Sequence, residues 1–249
     1  MASPDFASGD QLFAVQAIAH DDVFALGELH SDSQKPLPLI EHFDGTKWVV
    51  VPGPKLKNGQ TLTLGAIAAV SHSDLWVTGT NFETQPSLIF QFDGQKFTNV
   101  PFPLPAASLD GLAAIAADDV WVVGAQPNGN NRATLVAHWD GKRWTIVSTP
   151  NLTRTNALRA VSAISGSDIW AAGCTSCGSD VGTNQVILVE HWDGKQWSIN
   201  PTPLIGKGDF DFPGSVLTFP SGSVFLAGTS ARRNLASSQT LVLRAKEGK

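Results

Sequence analysis

The sequence predicts an all-β protein: a five-bladed β-propeller made of four-stranded antiparallel blades, each about 50 residues long. Three observations carry this. A hairpin signature, His138-Trp139-Asp140-Gly141-Lys142-Arg143-Trp144, returns with variations at His42 to Trp48, Gln91 to Phe97 and His191 to Trp197. A second signature, Asp-(Val/Leu/Ile)-(Trp/Phe)-x-x-Gly, precedes each hairpin and ends at Gly27, Gly79, Gly124 and Gly173, with a degenerate fifth copy from Ser223 to Gly228. Each period holds four short β-like runs, which selects a propeller over a solenoid.

The fourth repeat shows the elements in order. Strand one runs from Leu158 to Ile164, strand two from Ile169 to Ala172, strand three from Val186 to Trp192 and strand four from Gln196 to Pro201. Small residues recur in strand one, as in Ala66-Ile67-Ala68-Ala69 and Ala113-Ala114-Ile115-Ala116. Such strands belong where sheets crowd, so strand one is expected innermost, with the aromatic hairpin of strands three and four outward. Asp-Gly between strands three and four supplies the positive φ of a tight turn. The blades fall at about 12–52, 61–101, 109–150, 157–203 and 214–249, within a single domain spanning 1–249. The last blade lacks a fourth strand. Three readings are open: the blade keeps three strands, it is closed by the N-terminus, where Phe6 to Ser8 is a short candidate, or the sequence is cut from a longer chain.

Through Asp168 to Gly173, His191 to Trp197 and their counterparts, nearly the whole chain resembles bacterial tandem-repeat β-propeller proteins, which are mostly of undefined function. The resemblance implies the fold. More distantly, the hairpin is similar to the Asp-box of sialidase-type propellers and the repeat length to kelch. The Asp-box has a residue between its Asp and Gly, however, whereas Asp140 and Gly141 are adjacent, and the double glycine and tyrosine of kelch are absent. No catalytic or binding residue carries over from either family.

Composition narrows the function classes. No apolar run approaches the ~20 residues that span a bilayer, so no membrane partner is expected. A formal charge of -5 disfavours nucleic acid, whose binding needs a basic surface to displace counterions. Few lysines and eight tryptophans suggest an extracellular or cell-surface protein, although Met1 to Gln11 carries no signal-peptide pattern. Cys174 and Cys177 have Cys-x-x-Cys spacing, which is half a zinc site without a second pair; a local disulfide is expected, with free thiols as the alternative. No cofactor is implied, and the chain reads as a monomer.

The connections between strands two and three differ from blade to blade, and loops on a rigid scaffold are where ligand chemistry is usually placed. The ligand-binding candidates are Glu28, His30, Asn81, Glu83, Asn128, Asn131, Arg132, Asp180 and Arg233, with Asp209 and Asp211 from the connection before the fifth blade. Because these loops do not repeat one another, a site among them would be single and composite. The opposite turns carry Lys47, Lys96, Lys142, Arg143 and Lys195, a set better explained by solubility than by docking. The recurrent His42, His138 and His191 sit on separate blades, too far apart to share an ion. Each is instead expected to bond a carbonyl or an Asp such as Asp22, Asp119 or Asp168, and no metal is assigned. Trp48, Trp144 and Trp197 read first as core and only second as sugar platforms. No nucleophile elbow, phosphate loop or His-Glu-x-x-His motif occurs. The sequence therefore points to a non-catalytic module that binds a glycan or a protein. The alternative is a glycoside hydrolase with carboxylates in a central funnel, for which Glu28 and Glu83 are the nearest acids.

Overall fold

The structure, a computed structural model, describes residues 4, 10–30, 36–56, 60–81, 84, 87–177, 186–201, 209–232 and 238–246. Every regular element among them is a β-strand. The first blade is β1 (Gln11–Ala19), β2 (Asp22–His30), β3 (Pro36–Phe43) and β4 (Trp48–Val50). The second is β5 (Leu62–Ser71), β6 (Asp74–Asn81), β7 (Ser87–Phe92) and β8 (Phe97–Val100). The third is β9 (Ser108–Ala116), β10 (Asp119–Asn128), β11 (Asn131–Trp139) and β12 (Trp144–Val147). The fourth is β13 (Asn156–Ser165), β14 (Asp168–Thr175), β15 (Val186–Trp192) and β16 (Trp197–Ile199). The fifth is β17 (Asp209–Thr218), β18 (Ser223–Arg232) and β19 (Ser238–Lys246). Each sheet is a meander in chain order, and together they make the five-bladed β-propeller that the repeats predict.

Two boundaries differ from the sequence reading. The fifth sheet begins at Asp209 rather than near Gly214, because Asp209 to Pro213 pair with Arg232 to Gly228. It has three strands among the described residues, and the proposed closing segment from Phe6 to Ser8 lies outside them. The third blade extends further than expected: β10 and β11 stay paired to Asn128↔Asn131, so the variable connection there is a two-residue turn.

The chain forms two compact units, Met1–Ala117 and Asp118–Lys249. In the first, Phe24, Leu26 and Ile40 pack with Leu62, Leu64, Ile67, Leu75, Val77, Phe90 and Phe92, joining the first blade to the second. In the second unit, Trp170, Ala172, Ile187 and Val189 meet Val216, Val224, Leu226 and Leu241, joining the fourth blade to the fifth. Each such aliphatic side chain stabilises by about 1.5–3 kcal/mol when fully buried. First strands meet first strands, β1 on β5 and β5 on β9 in one unit and β13 on β17 in the other, as their small residues predict. The β13–β17 contact carries hydrogen bonds, since the Ser162 and Thr218 hydroxyls lie 2.8 Å apart and the Thr218 N–H donates to Ser162 Oγ.

The glycine that ends the signature in the first, second and fourth blades, Gly27, Gly79 and Gly173, has a steric explanation. Strand one bulges opposite it, with Leu158↔Gly173 followed by Ala160↔Ala172, and Leu12↔Gly27 followed by Ala14↔Leu26. The bulge presses the partner backbone in, so that a Cβ on Gly173 would lie 1.9 Å from the Ala157 carbonyl oxygen.

Candidate functional site

Inside the blades the two signatures lock together through one carboxylate oxygen. In the fourth blade Asp168 Oδ1 accepts from the Trp170 indole N–H at 2.9 Å and from His191 Nε2 at 2.9 Å. In the third, Asp119 Oδ1 accepts from Trp121 at 2.8 Å and His138 at 2.9 Å. In the second, Asp74 Oδ1 accepts from Trp76 at 3.0 Å and from the Gln91 side-chain amide at 2.9 Å. Of the two partners expected for each histidine, a carbonyl or an Asp, His138 and His191 take the Asp that opens strand two. An ionised carboxylate can only accept, so each histidine donates from Nε2.

The first blade departs from this pattern. Phe24 stands where the others have tryptophan and has no N–H to give, so Asp22 Oδ1 keeps His42 Nε2 at 2.7 Å and lacks the indole partner. His72, from the turn between β5 and β6, comes in instead, with Nδ1 3.4 Å from the same oxygen. The donor atoms of Asp22, His42 and His72 all lie within 4.8 Å of one another, and the two imidazole rings are 4.6 Å apart. His42 is nearly buried and His72 half exposed. The equivalent turn position in the fourth blade is Gly166, where a Cβ would lie 2.6 Å from Asp119 Oδ2; the turn of one blade thus sits over the Asp of the blade before it. His72 belongs to neither signature, so the repeat pattern does not single it out. The available signal was the coincidence of Phe24 with a histidine in the next blade's turn.

The Asp-Gly turns also differ in detail from the expectation. Four residues lie between paired strands, as from Phe43 to Trp48, and only the glycine takes positive φ, at 84 to 89° in all four copies. The aspartate instead acts through its side chain. Asp44 Oδ1 accepts from Thr46 Oγ1 and from the backbone N–H groups of Lys47 and Thr46, which together hold its carboxyl down at about 2. Asp93, Asp140 and Asp193 are held below the usual carboxylate range by the same pair of backbone N–H groups, foremost those of Lys96, Arg143 and Gln196. The turn packs on its neighbour: a Cβ on Gly45 would meet Asp21, and one on Gly194 would meet Ser167.

Two acids that the signatures do not cover are fully buried. Glu41 and Glu190 immediately precede a signature histidine and face away from it, in equal register opposite Ala25 and Ala171. The Thr149 hydroxyl donates to Glu190 Oε2, whereas Oε1 is buried without a hydrogen-bond partner. Burial pushes the Glu190 carboxyl up to about 7 against the pull of Thr149. A dissolved substrate has no access to it.

Of the ligand-binding candidates, Asn128, Asn131 and Arg132 are brought together and exposed at the tip of the β10–β11 hairpin, around Gly129 at φ 59°. Glu28 is a half-buried strand residue between Gln11 and Pro38. His30 ends β2 opposite Pro36. Asn81 is buried and bonded to Gln60 and to the Thr84 N–H, so it shapes its connection from within. Asp209 and Asp211 belong to β17, opposite Arg232 and Ser230, and not to a connection. Glu83, Asp180 and Arg233 lie outside the described residues. Cys174 and Cys177 form the local disulfide. Trp144 and Trp197 are buried, and the rings of Trp121, Trp192 and Trp197 pack against one another at tilted and edge-on angles.

No protein-family model and no curated protein matches the chain. Among solved structures it is similar to a protein of unknown function from Dyadobacter fermentans, at 11% identity over 96% of this chain and 84% of that one, with a TM-score of 0.63. It is also similar to an ulvan lyase, at 9% identity and a TM-score of 0.59, where 96% of this chain covers 64% of the other. A third is a mannose phosphorylase from Leishmania mexicana, at 10% identity over 96% and 85% of the two chains, with a TM-score of 0.52. At these identities the similarity is one of fold, that of the β-propeller.

Proposed function

We propose that this protein is a non-catalytic binding module whose ligand is a protein, held at the blade ends opposite the Asp-Gly turns. The observation that carries the reading is the β10–β11 hairpin, which prolongs its blade beyond the common pattern and presents Asn128, Asn131 and Arg132 to solvent on a paired, two-residue turn. A rigid projection bearing arginine and amides suits recognition, since little ordering remains to be done on binding. The recurrent aspartates are occupied inside the blades and in the turns, and Glu41 and Glu190 are shut away from solvent, which supports binding over hydrolysis. The tryptophans a glycan site would use for stacking serve in packing, which favours a protein ligand. A disulfide suits an oxidising, extracellular location.

The test compares the wild type with a triple variant, Asn128→Ala, Asn131→Ala and Arg132→Ala. Partners captured from native extract are identified, purified and titrated, alongside a broad glycan array and a polysaccharide turnover assay. A purified protein partner that the wild type binds saturably and the triple variant does not is the expected result. An array hit lost in the variant moves the ligand to a glycan, and turnover of any polysaccharide ends the non-catalytic reading.

A further inference from the structure

We propose that Asp22, His42 and His72 form a binding site for a divalent transition-metal ion, Zn2+ foremost, that ties the first blade to the second. Two imidazoles and one carboxylate are a donor set suited to such ions, and three protein donors leave a fourth position for water. The half-exposed His72 leaves the site an entry from solvent. Tetrahedral bonds of roughly 2.0–2.1 Å place donor atoms about 3.4 Å apart. His72 Nδ1 already lies 3.4 Å from Asp22 Oδ1, and His42 Nε2 at 2.7 Å has only to give up the proton it shares with that oxygen and draw back slightly. The ring does this by changing tautomer: Nε2 gives up its proton, Nδ1 takes one up from solvent, and the neutral imidazole offers the Nε2 lone pair to the metal.

The comparison with the other blades separates this cluster from a structural pair. Asp74, Asp119 and Asp168 each accept two side-chain donors, one of them an indole N–H that cannot ligate a metal. Only in the first blade, among the described residues, does the Asp oxygen face two imidazoles, and there the indole has been replaced by Phe24, whose ring lies tilted against His42 with centroids 4.5 Å apart. Loss of the indole and arrival of His72 come from sequence positions 48 residues apart, in different blades. The neighbouring Asp21 and His20 lie 3.5 Å from each other on the surface.

The experiment uses the tag-free full chain, stripped with chelator and dialysed. Zn2+ is titrated calorimetrically, and Co2+ is followed by its visible d–d absorption, which reports nitrogen and oxygen ligands in a low-coordinate site. The wild type is expected to take up one ion per chain and to melt at higher temperature with it. His72→Ala, a change in an exposed turn that leaves the fold intact, is expected to weaken binding by at least about tenfold and to abolish the Co2+ band. Phe24→Trp, which supplies the indole found in three other blades, is expected to weaken binding as well by occupying Asp22. His138→Ala, a histidine of the two-donor kind, is expected to leave stoichiometry and band unchanged. Absence of saturable uptake by the wild type, or uptake by His72→Ala equal to it, overturns the proposal.

Discussion

At the scale of single residues, the protein depends on a few carboxylates placed in opposite environments. Asp168 ties Trp170 and His191 with one oxygen, so Asp168→Ala strands two inward-facing donors. A loss of about 2–4 kcal/mol is expected at neutral pH by urea denaturation, and Asp168→Asn, which keeps an acceptor, should lose less. Equal losses in the two variants would show that the hydrogen bonds are not the cause. Glu190 works the other way. Its carboxyl is raised to about 7 in the folded chain against an ordinary 4.5, so the folded state holds a proton that the unfolded state releases earlier. Stability is then fully present below about pH 4.5, falls as pH rises towards 7 and levels off above it, a change on the order of 3 kcal/mol. In Glu190→Gln that part of the pH dependence should vanish. Superimposable melting curves for the two proteins across pH 4 to 8 would remove Glu190 as its source.

At the scale of elements, each blade is set by how its first two strands fit. The bulge in strand one is possible because its partner is glycine, and a Cβ at Gly173 runs into backbone atoms of Ala157 and Leu158 that cannot swing aside. Gly173→Ala should therefore cost at least the 1–3 kcal/mol typical of overpacking, read as a lower denaturation midpoint. The same change at Gly129, where nothing lies within 4 Å, meets only the backbone preference at φ 59° and should cost about 1 kcal/mol. If the two variants lose equally, the bulge is not what demands the glycine. Both signatures were legible because these constraints are local: a turn needs its glycine and its aspartate, and a bulge needs its glycine, whatever surrounds the blade. The length of the β10–β11 hairpin was not legible. Pro127, Asn128, Gly129 and Asn130 read as loop, and only pairing across the blade draws Asn128 and Asn131 into strands.

At the scale of the whole molecule, Asp and Glu number 22 against 17 Lys and Arg, and the turn lysines stand beside turn aspartates whose charge persists at low pH. Lys47 and Lys96 each lie three residues after such an aspartate, so the turn ends present mixed charge rather than a basic field. Duplex DNA should accordingly not be retained at about 0.15 M salt in a filter-binding assay, and saturable retention there would contradict this account of the surface.

The sequence by itself determined the fold class, the number of blades, the identity of the turn residues and the structural role of each signature histidine inside its blade, with a carbonyl or an Asp as its partner. All of these follow from periodicity and from contacts within one repeat. Tertiary structure decided what happens between repeats. It buried Glu190 against Thr149 and set His72 over Asp22, each pairing joining residues tens of positions apart through the facing of two sheets. It also placed Asp209 and Asp211 in a strand and Asn81 in the interior, leaving Asn128, Asn131 and Arg132 as the exposed cluster among the described candidates. Such pairings depend on which side of a strand faces the next blade and on what that blade offers, and a period of about 50 residues repeats the scaffold without specifying the exceptions.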